Sequence, residues 1–279
     1  MRFEKWQALG NDYLIVEAGA LPWELTPERI RRLCEPHFGV GSDGVLLLSQ
    51  AEDPRQVAEL RIFNPDGSEA ELSGNGARQA ALYLHRASWT DEKEFSMLTK
   101  AGEIRPTITS PDTATLAMGR ASVTSPDYPS GGSDGTGALS AGGRRWRFQH
   151  VSIGNPQCVI EAGEELEELD LGSIGPEVEH NELFPNRTNA SFIRIEGSTV
   201  RARIFERGVG ETLSSGTGAS GAAVAAVLAG AASPIAVRLD GGELQVEVGE
   251  DLDVCLAGTA EPVFRGELSQ ELVSALGMA

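Results

Sequence analysis

Along the chain, apolar positions fall mostly in short runs closed by turn residues, the pattern of strands rather than of long helices. GVLLL at 44–48, SFIRIE at 191–196, IAVRL at 235–239 and LQVEV at 244–248 are such runs. LRIF at 60–63 and ARIF at 202–205 each precede turn residues, as strands ending in loops do. Three stretches predict helices. TPERIRRLC at 26–34 opens with a Thr at the N-cap and a Pro at the first helical position. ARQAALYLHR at 77–86 and ASGAAVAAVLAG at 219–230 follow glycine-rich turns and are rich in Ala and Leu. Residues 222–229 are apolar all round, so this helix is expected to be buried on every side and to run through the middle of its domain.

The chain also contains itself twice. Residues 61–84 laid over residues 203–226, an offset of 142, bring Arg61, Ile62 and Phe63 onto Arg203, Ile204 and Phe205, and Glu69 onto Glu211. Ser73, Gly74, Gly76 and Ala77 fall on Ser215, Gly216, Gly218 and Ala219. An earlier echo, GNDYLIVE at 10–17 against GNPQCVIE at 154–161, has an offset of 144. Two echoes in the same order predict two homologous domains, each a curved sheet folded around a largely apolar helix, in a mixed α+β fold. Between them the segment 122–143, rich in Ser, Gly and Pro, predicts a long surface loop. The boundaries expected are 1–117 for the first domain, with 265–279 returning to it, and 118–264 for the second.

Composition narrows the function classes. A formal net charge of −18 repels phosphate backbones, and no Lys/Arg cluster offsets it, so nucleic acid is not expected as a partner. The absence of a run of about 18 apolar residues argues against a membrane helix, and the opening MRFEKWQALG lacks the layout of a secretory signal. A cytoplasmic location is the expectation. Cys34, Cys158 and Cys255 form no C-x-x-C pair and are expected as buried free thiols. His37, His85, His150 and His180 show no metal-ligand spacing, so no metal is expected. A homodimer is the default expectation for the oligomeric state.

The chemistry points to the two glycine-rich turns. A Ser-Gly-x-Gly-Ala segment leading into a helix presents free backbone N–H groups with the positive end of the helix dipole behind them, a setting for an anion. Its spacing matches neither the phosphate loop nor the dinucleotide fingerprint, and structural turn glycines are the plain alternative. The duplication adds a reason to prefer a site: two equivalent helix starts, expected to face each other across an interdomain cleft, could hold one small carboxylate-bearing molecule. Inverting a carbon requires one group to remove a proton from one face and another to deliver a proton to the opposite face.

Six segments then carry a resemblance: ALGNDYLIVE, GVGSDGVLLL, RIFNPDGSEAELSGNGAR, HVSIGNPQCVI, FPNRTNASFI and IFERGVGETLSSGTGAS. In this order they resemble the diaminopimelate epimerase family along nearly the whole chain. The resemblance implies a cofactor-independent epimerase, without pyridoxal phosphate, that interconverts LL- and meso-diaminopimelate for lysine and peptidoglycan precursor synthesis. It implies Ser73, Ser215 and Glu206 as catalytic positions, and substrate contacts from Asn11, Asn64, Gly74, Asn75, Asn155, Asn189, Glu206, Arg207, Gly216 and Thr217. The family has cysteine where this chain has Ser73 and Ser215, and usually a histidine where this chain has Gln157. The same residues admit two other readings: a one-base lyase or isomerase of the same fold, or an amino-acid-binding relative without catalysis.

Overall fold

The computed structural model describes residues 1–278. In chain order it has β1 (Arg2–Ala8), β2 (Asn11–Glu17), α1 (Pro27–Cys34), β3 (Val45–Ser49), β4 (Gln56–Phe63), β5 (Glu69–Ala70), α2 (Gly74–Arg86), β6 (Ser96–Thr99), β7 (Gly102–Ile104), β8 (Thr107–Ser110) and β9 (Thr113–Arg120). There follow β10 (Thr136–Ala141), β11 (Arg144–Ser152), β12 (Pro156–Glu161), α3 (Leu171–Glu179), β13 (Asn189–Glu196), β14 (Thr199–Glu206) and β15 (Gly210–Thr212). The last elements are α4 (Gly216–Leu228), β16 (Ile235–Leu239), β17 (Gly242–Val248), β18 (Asp253–Thr259), β19 (Glu261–Glu267) and α5 (Gln270–Gly277). Among the described residues no helix is long and apolar enough to cross a membrane.

Two compact units result, Met1–Leu116 with Gly258–Ala279, and Ala117–Ala257. The chain leaves the first unit within β9 and returns within β18. The return therefore comes at Gly258, earlier than the 265 expected from the sequence: β19 is the strand that closes the first unit's sheet by pairing antiparallel with β1.

The two units repeat one pairing scheme. In the first, β1 pairs antiparallel with β2, β2 parallel with β3, β3 antiparallel with β4, β4 parallel with β6, and β6 antiparallel with β7. In the second, β11, β12, β13, β14, β16 and β17 follow the same alternation. Each scheme carries a short return strand, β5 on β4 and β15 on β14. Even an ion pair recurs: Arg61 Nε meets Glu69 Oε1 at 2.9 Å, and Arg203 Nε meets Glu211 Oε1 at 2.8 Å. Sequence identity at these positions thus reports a shared backbone path, as the echoes predicted.

Each scheme wraps its own helix. The helix α2 packs against β1, β2, β3 and β4, and α4 against β11, β12, β13, β14, β16 and β17. Ala219, Ala222, Ala223, Val224 and Ala226 of α4 are all fully buried, so this helix has no solvent face over its middle, as its composition predicts. Small residues let the strands come close. A Cβ on Gly218 would lie 2.6 Å from Ile204 Cδ1, and one on Gly76 would lie 3.0 Å from Leu46 Cδ2. A side chain at Gly218 would require Ile204 to move, and one at Gly76 would require Leu46 to give by a few tenths of an ångström.

Most strand and helix expectations are met within a residue or two. The helix α1 starts at Pro27 with Thr26 Oγ1 accepting from Arg29 N–H. The segment 122–143 departs from its expected loop, because its end forms β10 on β11. Turn glycines with positive φ, Gly135, Gly142 and Gly143, bracket this strand. Between them Leu139 and Ala141 alternate into the core, a period too short to stand out among so many turn residues. The thiols also differ from expectation: Cys34 and Cys158 are free and buried, but Cys255 is only half-buried.

Candidate functional site

The first unit's glycine-rich turn is built on a helix cap. Ser73 has extended backbone and its Oγ accepts from the Gly76 N–H at 3.1 Å, satisfying one of the four N–H groups that a helix start leaves without partners. The Tyr13 hydroxyl donates to the same oxygen over a long 3.4 Å. Beside it, Asn75 Nδ2 donates to Asn11 Oδ1 at 3.2 Å, and Asn11 Nδ2 donates to Asp43 Oδ2 at 3.0 Å. Gln79, fully buried, donates to the Asn11 carbonyl at 3.0 Å. The structure therefore brings Asn11, Ser73, Gly74 and Asn75 to one place. Asn64 bonds within its own turn, its Nδ2 donating to Ser68 Oγ at 2.9 Å.

The second unit repeats the cap and changes its company. Ser215 Oγ accepts from the Gly218 N–H at 3.2 Å and donates to Glu206 Oε2 at 2.9 Å. The other oxygen of Glu206 accepts from Thr212 Oγ1 at 2.9 Å. Burial raises the Glu206 carboxyl above the ordinary glutamate value, and the bonds from Ser215 and Thr212 pull partly the other way. A carboxylate so placed is a stronger proton acceptor than a solvated one.

Around this pair the remaining expected residues are tied by backbone and amide bonds. Asn155 Nδ2 donates to Thr217 Oγ1 at 3.2 Å, and Gln157 Nε2 donates to Asn155 Oδ1 at 2.7 Å. Asn189 Oδ1 accepts from the Arg207 N–H at 2.8 Å, and the Arg207 guanidinium donates to the Asn186 carbonyl at 3.0 Å. Gly216 offers its carbonyl to Ser220 Oγ at 2.9 Å. Gln157 lies against α4, where a Cβ on Gly221 would fall 2.9 Å from its Cγ.

Several residues of this setting carry no mark in the sequence. Glu179, at the end of α3, is buried, and its Oε1 accepts from both the Gly208 N–H at 2.9 Å and Arg187 at 3.0 Å, fixing the turn that follows Glu206. Thr212 orients Glu206 from the other side. Tyr13 could have been found, since the earlier echo sets it against Gln157. Arg78, four residues past Gly74, donates to the Gly74 carbonyl at 3.2 Å and to Asn75 Oδ1 at 2.7 Å. Among the described residues, no group of three or more His, Cys, Asp and Glu side chains is placed to hold a metal ion.

Comparison with known proteins bears on the family and the fold. The family model for diaminopimelate epimerase matches residues 3–124 and 149–263. "Diaminopimelate epimerase 2" of a Nostoc species is 40% identical over 98% of this chain and 97% of its own length. The diaminopimelate epimerase of Moorella thermoacetica is 38% identical over 96% of this chain and 99% of its own. Among solved structures, a phenazine biosynthesis protein of the PhzF family from Bacillus anthracis superposes with a TM-score of 0.67 at 19% identity, over 96% of this chain and 99% of its own. A hydroxyproline epimerase from Agrobacterium vitis gives 0.64 at 17% identity, over 100% of this chain and 98% of its own. At such identities the last two speak for the fold alone.

Proposed function

Because the chain belongs to the diaminopimelate epimerase family, we propose that it interconverts LL- and meso-diaminopimelate, with Ser215 and Ser73 exchanging the α-proton on opposite faces of the substrate carbon. The carrying observation is the bond from Ser215 Oγ to a buried carboxylate, Glu206 Oε2, at 2.9 Å. A hydroxyl is a weak base on its own and needs such a partner.

The proton accounting is simple. Ser215 Oγ takes the α-proton as its own proton passes to Glu206, and Ser73 Oγ–H delivers a proton to the other face. In the reverse direction Ser73 must act as the base. Its oxygen accepts from the Gly76 N–H and from Tyr13, bonds that favour the oxygen when it carries negative charge. The first-turn N–H groups of α2 and α4 stabilise charge that builds on the substrate carboxylate as the proton leaves. Asn11, Asn64, Asn155, Asn189 and Arg207 are assigned to substrate binding.

A second reading, a one-base lyase or isomerase, is favoured by one asymmetry: position 206 is a carboxylate, and its counterpart under the 142-residue offset is Asn64. Incubation of the protein with LL-diaminopimelate in deuterated water separates the two. Deuterium at the α-carbon together with meso product is the expected result. Exchange without inversion selects the one-base enzyme, and binding with neither selects a ligand-binding relative.

A further inference from the structure

Arg78 stands where an arginine is costly. It sits in the second turn of α2 and is fully buried, with 0% of its surface exposed. Only burial acts on its ionisation, bringing it down to about 10. Its partners are neutral: the Gly74 carbonyl and Asn75 Oδ1. Its Nε, also buried, has no hydrogen-bond partner. A buried guanidinium without a carboxylate is a net cost to the fold, since desolvating a charge is repaid only by close counter-charge and complete hydrogen bonding.

The duplicated helix is built without such an arginine. The equivalent position in α4 is Ser220, whose Oγ donates to the Gly216 carbonyl at 2.9 Å, as Arg78 does to the Gly74 carbonyl. A serine satisfies that carbonyl without placing a charge in the core. What Arg78 adds is a full positive charge behind the first turn of α2, about twice the half-charge that a helix dipole supplies there. It also holds Asn75, which in turn donates to Asn11.

We propose that Arg78 is a positioning residue for the substrate's carboxylate: its buried guanidinium locks Asn75 and makes the first turn of α2 the stronger anion site of the two helix starts. The missing counter-charge is then the amino-acid substrate's own carboxylate. This rests on the assignment of diaminopimelate as substrate.

The test compares wild type with R78M and R78K, reading kcat and KM for LL-diaminopimelate beside thermal unfolding. For R78M the expected result is a KM raised roughly ten- to fiftyfold, the effect of losing one charge several ångströms from an anion at intermediate dielectric. The Tm should be unchanged or higher, because an uncompensated buried charge has gone. R78K, which keeps the charge and loses the fork, should recover most of the affinity. Unchanged KM in R78M, a Tm that falls in step with activity, or R78K no better than R78M would each overturn the role of Arg78. A wild type that neither binds nor exchanges LL-diaminopimelate would instead overturn the substrate assignment, and this role with it, whatever the variants do.

Discussion

The two units repeat one pairing scheme and one serine cap, but the polar side chains around the two caps differ. Ser73 and Ser215 cap α2 and α4 with the same bond, to Gly76 and Gly218. The neighbours then diverge: Asn64 against Glu206, Arg78 against Ser220, Gln79 against Gly221, and Tyr13 against Gln157. One unit surrounds its serine with donors and a buried cation, the other with an acceptor. On the proposed mechanism, the duplicated scaffold supplies two like serine caps, and a few side chains then set which serine gives and which takes a proton. The glutamines show how loosely scaffold and chemistry are tied. In the first unit Gln79 reaches from helix to strand, and in the second Gln157 reaches from strand to helix over Gly221.

The largest expected effect comes from restoring thiols. A thiol ionises near 8.5, several units below a hydroxyl, and each unit is about 1.4 kcal/mol. The double variant S73C/S215C is therefore expected to gain on the order of 6 kcal/mol in forming the base, roughly four decades in kcat/KM for LL-diaminopimelate. The single variants sharpen the comparison. S73C should gain more than S215C, because Ser215 already has Glu206 as proton acceptor. Equal gains would mean that the carboxylate does not distinguish the two units.

Next in size is Glu206→Gln. Loss of a positioned base typically costs about 10²–10⁴-fold, and α-deuterium exchange measured from each stereoisomer should fall more in the direction that begins at Ser215. The pH behaviour follows from the raised carboxyl. A buried acid with its folded value above its unfolded one contributes stability below the unfolded value, and this is lost as pH rises through the folded value. Activity runs the opposite way, because the base form must be ionised. The wild-type rate should climb through a limb displaced above the ordinary glutamate value of 4.5. In E206Q both the limb and the matching decline in stability should vanish, so a limb that survives would assign it to another group.

How far this could be foreseen varied with the range of the interaction. The cap at Thr26, the helix at α1 and the apolar course of α4 were legible because residues a turn apart decide them. The two glycine-rich helix starts were legible because the chain states them twice, although the capping role of their serines was not. Arg78 was not, since a lone arginine in a helix reads as solvated until burial by the surrounding strands is known. Glu179 was hidden for another reason. It ends α3, a helix that carries Gly172, Gly175 and Pro176 and so offers little helical signal, yet it reaches the backbone of Gly208. Strand β10 was masked by the turn residues around it.

The smallest expected effect is the most exacting check on the contrast between the units. Tyr13→Phe removes the 3.4 Å contact to Ser73 Oγ, long for a bond between hydroxyls, and keeps the buried ring that packs in the first unit's core. A loss of about 1 kcal/mol or less follows, up to roughly fivefold in rate. The loss should fall on the direction in which Ser73 is the base, because the bond supports its negative form and not the neutral one. Separate initial rates from LL- and meso-diaminopimelate measure this. A loss as large as that of E206Q would make Tyr13 the counterpart of Glu206 in function, and the two units would then be matched rather than unequal.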